Sequence, residues 1–398
     1  MLQDEEKKLD LAEIRAGIDA IDDKLASLFA DRMALCDKVA AYKKQTSKAV
    51  LDNSRENAII SRLSAGLERR DADAIDLLYR TIFEISRSRQ NTLLFDAKSG
   101  TEAEQASFAN RVQAALKDTE ALPEAPCVAC QGVEGAYSQI ACKELFPGAQ
   151  ILYFENFESV FKSVSSGLCR YGVLPFENSI HGSVTEVYDM LSASEVSVVK
   201  SVKLPIHHSL LAAPGAALSD ITEIYSHRQA IGQCSEFLAA NRKIKTHICE
   251  NTAVAAKTVA ESGRRDIAAI SSENCAALYG LDILKKDLQN SSVNYTMFYC
   301  ISKEPEIYAD ADKAAFMFNI PNRSGSLFHI LARFAANGVN LTKIESRPIS
   351  GKDFEFMFYA EADTKGLDER LIRLFAEFEQ TLDFFKFIGA YKELTPSL

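Results

Sequence analysis

No apolar stretch among the 398 residues approaches the roughly 20 needed to cross a bilayer as a helix. No long run of lysine and arginine occurs either, and the net charge is −10. Neutralising phosphates needs clustered cations, so nucleic acid is not an expected partner. The opening MLQDEEKKLD is charged and lacks the apolar core of a secretory signal. Cysteine offers no framework: nine are scattered, an odd number, which fits reduced thiols in a cytoplasm. Cys127 and Cys130 have a CxxC spacing, but no second pair lies near. A strand there would point the two sulfurs to opposite faces, so neither a metal nor a redox site is expected. Proline is missing from residues 5–115, where glycine occurs only at positions 17, 66 and 100. Apolar residues make up 47 % and charged residues 25 %, ordinary for a globular chain. A chain of this length exceeds one core, and two to four domains are expected.

The proline-free region reads as helices. Leu11, Ile14, Ile18, Ile21, Leu25, Leu28, Leu35 and Val39 follow a 3,4 spacing that predicts one long amphipathic helix, with Arg32 on the same stripe. LDNSREN interrupts it, and Asn53 is the expected cap of a second helix, with Glu56 at the capping-box position. A third helix carries Ile75, Leu78, Ile82, Ser86, Gln90 and Leu93. Three helices with one very long member close poorly on themselves, and two copies interlocking their long helices would bury the stripe better. KDTEALPEAP then reads as a linker. Beyond it, β runs such as CVACQG, ILYF, YGVLPFE, VSVVKSV, EIYSH, KTHICE, DIAAIS and NYTMFYC alternate with helical stretches. That is an α/β texture, with loops after strands as expected ligand positions. SKEPEIYADADK is a second expected linker, and the remaining C-terminal residues read β-α-β-β-α-β, a ferredoxin-like pattern.

Several polar residues sit where apolar ones belong. Arg32 occupies the apolar stripe itself, with no acidic residue in register, and a charge there needs an anion. A bound ligand anion is the expectation. Lys43, about three turns on, shares the face of Arg32, whereas Arg15 lies roughly 100° around the helix and cannot point the same way. Ser86 and Gln90, one turn apart, replace apolar residues on the third helix, and Arg55 opens the second. Snorkelling stems over a solvated face account for Arg69 and Arg70 but suit Arg32 badly. Further on, Asn294 and Thr296 share one face of an otherwise apolar strand, with Met297 projecting to the other.

The stretches IRAGIDAIDDKLASLFADRMALCDKVAAYK, LDNSREN and FEISRSRQ resemble the all-helical chorismate mutases. The whole chain resembles the bifunctional chorismate mutase–prephenate dehydratases of phenylalanine synthesis, with three regions in that family's order. The resemblance implies a multidomain fold: an all-α helical mutase domain over 1–112, an α/β two-lobed dehydratase domain over 126–303, and an α+β ferredoxin-like ACT regulatory domain over 313–395. It implies chorismate and prephenate as substrates, L-phenylalanine as effector and no cofactor or metal. The cysteine usage, the unburied stripe, the hydropathy and the charge add the expectation of a cytoplasmic homodimer or higher homo-oligomer with no membrane or nucleic-acid partner. For the mutase the resemblance implies a pocket of Arg15, Arg32, Lys43, Asp52, Arg55, Glu56, Ser86 and Gln90. The Claisen rearrangement of a dianion needs no nucleophile, only a held conformer and stabilised charge on the breaking ether oxygen. Arg15 and Arg32 suit the carboxylates, Lys43 and Gln90 the ether oxygen, and Glu56 a substrate hydroxyl. The family's architecture sends Arg15 into the other subunit's site.

In the middle region, QGVEGAYSQIA resembles the family's opening G-x-x-G-[TA]-[FY]-S loop through Gly132, Gly135, Ala136, Tyr137 and Ser138. GVLPFENSIHGSV supplies Glu177, Asn178, Ser179, Gly182 and Ser183 directly after a strand, where amides and hydroxyls can surround a carboxylate. LPIHHSLL, YSHRQAIGQC, ENTAVAA and AALYGL match in order, with Arg228 where the family usually has proline. For His208 and His227, core packing or strand capping is the alternative. The family's signature strand ends N-x-T-R-[FY]; here Asn294 and Thr296 carry over and Met297 replaces the arginine. The resemblance implies Thr296 as the catalytic residue, and Tyr137, Ser138, Glu177, Asn178, Ser179, Gly182, Ser183, His208 and Asn294 as substrate-binding. Two alternatives stay open: an active mutase whose middle region is a weak or non-catalytic sensor, and a dehydratase preferring arogenate.

At the C-terminal end, Gly325, Ser326 and Leu327 match the G-A-L element of phenylalanine-binding ACT domains, with serine for alanine. Glu345, Ser346, Arg347 and Pro348 match its E-S-R-P element. The implied effector is L-phenylalanine, with free amides at a helix start to receive its carboxylate.

Overall fold

The structure, a computed structural model, describes residues 10–46, 48, 50–95, 107–291, 293–323, 325–349, 355–364 and 367–396. The first region is α1 (Leu11–Thr46), α2 (Asn53–Ser64) and α3 (Arg69–Phe95). Asp52, not Asn53, caps α2: its carboxylate accepts from the Arg55 N–H at 3.0 Å. An oxygen one residue before the helix reaches the amide three positions on, and Asn53 is already inside the helix. α1 lies along α3, tied by Arg89 to Asp37 at 2.6 Å. Met33 and Ala40 are its buried residues, whereas Leu25 is 56 % and Leu28 64 % exposed. Burying side chains of that size is worth about 1.5–3 kcal/mol each. The expected stripe therefore exists, and its apolar residues from Leu11 to Val39 are exposed among the described residues.

A short helix, α4 (Phe108–Ala115), turns away from this trio. Phe108, Val112 and Ala115 join the core of the C-terminal region, Phe108 meeting Phe375 edge-on at 5.9 Å.

The middle region holds two sheets. The first is built from β1 (Cys127–Gln131), β2 (Gln150–Phe154), β3 (Tyr171–Asn178), β4 (Gly182–Ser183), β5 (Ser197–Pro205), β11 (Tyr295–Ser302) and β16 (Glu393–Leu394). Its order is β16-β5-β11-β3-β1-β2, with β4 paired to β3. Helices α5 (Tyr137–Leu145), α6 (Phe157–Ser165) and α7 (Thr185–Ala193) pack on it. The second sheet comprises β6 (Ser209–Ala212), β7 (Glu223–His227), β8 (Lys245–Cys249), β9 (Ile267–Ser271) and β10 (Asp282–Lys285), ordered β10-β6-β9-β7-β8. Around it lie α8 (Arg228–Gln233), α9 (Ser235–Ala240), α10 (Thr252–Ser262) and α11 (Glu273–Tyr279). The chain crosses between the sheets after β5 and again after β10. The two crossings are pinned together, Ile206 N–H to the Asn294 carbonyl and Leu288 N–H to the His208 carbonyl, both at 2.8 Å.

β11 runs antiparallel between β3 and β5, and its alternation is as the sequence reading has it. Phe298 and Cys300 face one core with Val173, while Met297, Tyr299 and Ile301 face the other with Phe176 and Tyr188. β1 splits its cysteines likewise, Cys130 in the first core and Cys127 against the second.

The C-terminal region is β12 (Lys313–Ile320), α12 (Ser326–Ala336), β13 (Leu341–Pro348), β14 (Phe356–Asp363), α13 (Glu369–Thr381) and β15 (Phe385–Tyr391), an antiparallel sheet ordered β13-β14-β12-β15. One face carries the two helices. The other lies on the first sheet of the middle region, where the Tyr299 hydroxyl meets Glu361 at 2.7 Å, Tyr391 at 2.8 Å and the Tyr359 hydroxyl. Burial raises all three phenol pKa values well above the ordinary range, so these hydroxyls stay neutral donors. At Gly389 the sheets approach so closely that a Cβ would sit 2.0 Å from the Val198 carbonyl oxygen. On the helix side, Arg333 of α12 reaches Glu84 of α3 at 2.8 Å, and Asn337 donates to Ser88 at 3.0 Å.

Neither expected linker is a free connector. Lys117 N–H bonds the Ile307 carbonyl at 2.8 Å, Ala309 N–H bonds the Thr119 carbonyl at 3.1 Å, and Asp310 pairs with buried Lys200 at 2.6 Å. Ile307 and Tyr308 are apolar enough to bury, which charge content alone obscured. The short strands β4, β6, β10 and β16 lack a usable period of their own and owe their state to their neighbours.

Candidate active sites and effector element

The first cluster lies where α1, α2 and α3 meet. The Arg32 guanidinium donates to the Ser86 hydroxyl at 2.5 Å and sits 5.5 Å from the Phe83 ring centre. The Ser86 hydroxyl in turn donates to the Ile82 carbonyl at 2.6 Å. Gln90, one turn on and buried, donates to the Ser86 carbonyl at 3.2 Å, and its side-chain oxygen has no partner among the described residues. Lys43 caps the loop after α1 through the Val50 carbonyl at 2.6 Å. Burial presses its pKa down, while Asp52 and Glu56 pull it up, which places all three charges in one neighbourhood. One chain thus assembles Arg32, Lys43, Asp52, Glu56, Ser86 and Gln90. Arg55 is exposed at the start of α2. Arg15 is exposed and about 25 Å from Arg32 along the axis, given 1.5 Å per residue, so it is not part of the assembly in its own chain.

Glu56 does not stand free. Its carboxylate takes the Arg87 guanidinium, which also pairs with Glu84 at 2.5 Å. Glu84 in turn holds Arg333 of the C-terminal region, and Arg333 lies 3.6 Å from Glu377. Arg87, at 9 % exposure, carries no signal in the sequence because it reads as one more charge on a helix.

The second cluster lies where the two sheets of the middle region meet. The Asn178 side-chain oxygen accepts the N–H groups of Ile180 and His181, each at 3.0 Å. Two backbone donors therefore settle which end of that amide faces which way. Its NH2 is left to donate to the Asn294 side-chain oxygen at 2.9 Å, the Tyr295 carbonyl at 3.1 Å and the Thr296 hydroxyl oxygen at 3.0 Å. Asn294, 2 % exposed, donates to the Gln233 side-chain oxygen at 3.1 Å. The same oxygen takes His208 Nε2 at 2.7 Å. Burial lowers the His208 pKa, against the pull of Gln233, so the ring is neutral with its proton on Nε2. His181 Nδ1 stands 3.1 Å from the Gln233 NH2. Asn178, Asn294, Thr296 and His208 are thus brought together, with Gln233 joining one lobe to the other. Ser179 shapes the turn, its hydroxyl taking the Tyr295 N–H at 2.9 Å, and Gly182 at φ 76° lets the turn close. Tyr137 donates to the His207 carbonyl at 2.5 Å, beside His208, and Ser138 is buried in α5.

Glu177 and Ser183 point elsewhere. They face β13 of the C-terminal region, where Lys343 meets Glu177 at 2.6 Å and Ser183 donates to Glu345 at 2.5 Å. β13 alternates: Lys343, Glu345 and Arg347 face inward, while Ile344, Ser346 and Pro348 are exposed. Arg347 lies 5.9 Å from the Tyr188 ring centre. Gly325, at φ 83°, is the N-cap of α12, with Ser326 and Leu327 in its first turn. No hydrogen bond among the described residues joins these three to Glu345 or Arg347 within the chain.

The sequence reading missed Gln233, His181 and Lys343. Gln233 and His181 lie inside quoted motifs, beside Cys234 and Gly182, so the motifs held the signal without saying which member would turn inward. Arg228 is exposed at the start of α8, on the second sheet and not on the face of Met297. Among the described residues no helix is long and apolar enough to cross a membrane, and no His, Cys, Asp and Glu group could hold a metal ion.

Comparison with known proteins places these clusters in context. Residues 14–91 match the family Chorismate mutase type II, residues 128–306 Prephenate dehydratase, and residues 316–377 the ACT domain. Arogenate dehydratase/prephenate dehydratase 1, chloroplastic, of Arabidopsis thaliana is 36 % identical over 66 % of this chain and 71 % of its own. A bifunctional chorismate mutase/prephenate dehydratase of Enterobacter agglomerans is 29 % identical over 96 % of this chain and 95 % of its own. Among solved structures, a prephenate dehydratase in complex with L-Phe from Arthrobacter aurescens superimposes with a TM-score of 0.61 at 28 % identity, covering 67 % of this chain and 90 % of that one. With the three matched regions in that order, the chain belongs to the prephenate dehydratase family, in the form that carries a chorismate mutase region before the dehydratase and an ACT domain after it.

Proposed function

We propose that this chain is a bifunctional enzyme of phenylalanine synthesis. It takes chorismate to prephenate at the helical cluster and prephenate to phenylpyruvate in the cleft, and L-phenylalanine acts back through the ACT domain. The observation that carries this reading is the match over 96 % of the chain to a protein named for both reactions. A polar cluster stands in each corresponding region.

At the helical cluster, Arg32 offers a guanidinium fork to a substrate carboxylate, held in aim by Ser86 and Phe83. Lys43 and Gln90 would face the ether oxygen as its bond breaks, where fixed donors stabilise developing charge without reorganising. Glu56 accepts a substrate hydroxyl with its lone pairs not used by Arg87.

In the cleft, the breaking carbon–carbon bond to the ring carboxylate releases carbon dioxide. Its electron pair completes the aromatic ring and expels the ring hydroxyl, which leaves as water once it gains a proton. Asn178 donates to the Thr296 oxygen, so the Thr296 proton is free to point at the departing hydroxyl. Asn294 keeps that geometry from the start of β11, and Gln233 and neutral His208 keep it from the other lobe. Feeding purified protein chorismate, prephenate or arogenate and following phenylpyruvate or phenylalanine tests the reading. Phenylpyruvate from both chorismate and prephenate is expected. Mutase turnover with no phenylpyruvate would instead support a sensor, and arogenate as the better substrate would move the specificity.

The exposed α1 stripe supports a dimer as the working unit, because a second α1 would cover it and bring that copy's Arg15 toward the Arg32 cluster. Leu25→Asp should halve the mass seen by sedimentation and abolish the mutase while sparing prephenate turnover. Wild-type protein that sediments as a monomer with full mutase activity would defeat this.

A further inference from the structure

Met297 stands where the family's strand carries an arginine, and the register shows what that residue faces. Met297 on β11 is paired directly with Glu177 on β3 and with Lys203 on β5. Between Glu177 and Pro175 the register shifts against β11, so Phe176 and Glu177 together oppose Met297. Side chains opposite each other in an antiparallel pair stand about 5 Å apart. An arginine at position 297 would therefore reach the Glu177 carboxylate, and methionine cannot pair with it. Lys203 does not substitute, since its ammonium lies over the Tyr295 ring at 5.0 Å.

The cation that does meet Glu177 comes from another region. Lys343 of β13 places its ammonium 2.6 Å from Glu177 and 2.7 Å from the Tyr188 hydroxyl, within 5.1–5.6 Å of the Phe176, Tyr188 and Tyr359 ring centres. Its side chain is 16 % exposed, so solvent screens the pair only in part. Glu177 directly precedes Asn178, the residue that orients Thr296 and Asn294. Lys343 is also 3.7 Å from Glu345, which takes hydrogen bonds from Ser183 and Tyr188. Ser183 sits opposite Glu177 on β4.

We propose that Lys343 is a positioning residue for the dehydratase reaction. With methionine at 297, it supplies the charge that holds Glu177, and through Glu177 the Asn178 turn, in register. Because Lys343 and Glu345 share a strand with the effector element, the same contact carries phenylalanine control into the cleft. A change in β13 that draws Glu345 away from Ser183 also moves the cation on Glu177. The inference rests on the cleft as the dehydratase site.

The test uses the full-length chain and reads chorismate and prephenate turnover together. Lys343→Met should lower the kcat for prephenate by about 10- to 100-fold, the scale of a misplaced catalytic group, with KM changed much less. The mutase should stay normal, which reports that the chain has folded. Lys343→Arg should keep most of the rate. Adding Met297→Arg to Lys343→Met should restore kcat to within about threefold of wild type, a rescue that a merely structural lysine would not allow. In that double variant L-phenylalanine should inhibit prephenate turnover more weakly, because Glu177 no longer depends on β13. Lys343→Met within about threefold of wild type, or a double variant no faster than the single one, overturns the proposal. Undiminished phenylalanine inhibition in the double variant overturns the control route. Thr296→Ala run alongside separates the two readings: if it is inactive while Lys343→Met is active, only this proposal fails, and if it is active, the cleft assignment itself fails.

Discussion

Arg32→Ala should lower chorismate turnover by about 100- to 1,000-fold, the 3–4 kcal/mol scale of one positioned charged donor removed from a transition state. Arg32 sits on an apolar stripe, its guanidinium braced by Ser86 at 2.5 Å and by the Phe83 ring. Its reach toward a carboxylate is therefore prepared before substrate arrives, and alanine loses both the fork and the aim. Arg32→Lys should recover part of the rate, since a point charge survives without two-pronged geometry. Prephenate turnover should stay close to wild type, because α1 packs on α3 and not on the sheets that form the cleft. Mutase turnover within about threefold of wild type in Arg32→Ala would remove this cluster from the reaction.

Thr296→Ala should cut prephenate turnover by about 100-fold or more, the usual scale for a lost proton donor, while the mutase is unchanged. The hydroxyl oxygen is already an acceptor for Asn178, whose orientation two backbone amides impose. Its proton therefore has one task left. Thr296→Ser keeps the hydroxyl but lacks the methyl that restricts its rotamer, so part of the rate should remain. An active Thr296→Ala enzyme would refute a role for that hydroxyl. Loss of both activities would point to a folding defect, and the chorismate assay guards against that error.

Regulation is better probed by point changes than by removing residues 313–398. Tyr359, Glu361 and Tyr391 bury the outer face of β11, the strand that carries Thr296, and β16 pairs with β5. Taking that region away would expose Tyr299 and the Val198 segment packed at Gly389. A loss of dehydratase activity would then say nothing about phenylalanine. Arg333→Ala is a milder change on the opposite face. It removes Arg333 from Glu84, leaving Arg87 and the more distant His329 ring beside it, and so reports whether the ACT domain also bears on Glu56 in the mutase cluster.

Much of the chain is legible from local order. The 3,4 spacing of α1 depends on residues within a turn of one another, and so does the period of two that puts Asn294 and Thr296 on one face of β11 and Met297 on the other. Position on a face is decided by steric geometry within a few residues, which is why the sequence by itself determined the helical first region, the α/β middle, the β-α-β-β-α-β end and most of the residues in each motif. It could not determine which faces meet. Gln233 reaches Asn294 only because two crossings bring the lobes together. Lys343 reaches Glu177, 166 positions away, only because one sheet lies on another. The two stretches with the composition of linkers pack against each other for the same reason. Contacts of that kind depend on how the whole chain closes, and the closing is set by the burial of Phe176, Tyr299, Tyr359 and their neighbours in a shared core. The tertiary structure alone therefore decided that the cation against Glu177 is Lys343 of the ACT domain, because charge pairing is settled by distance in space and a side chain carries no mark of its distant neighbours.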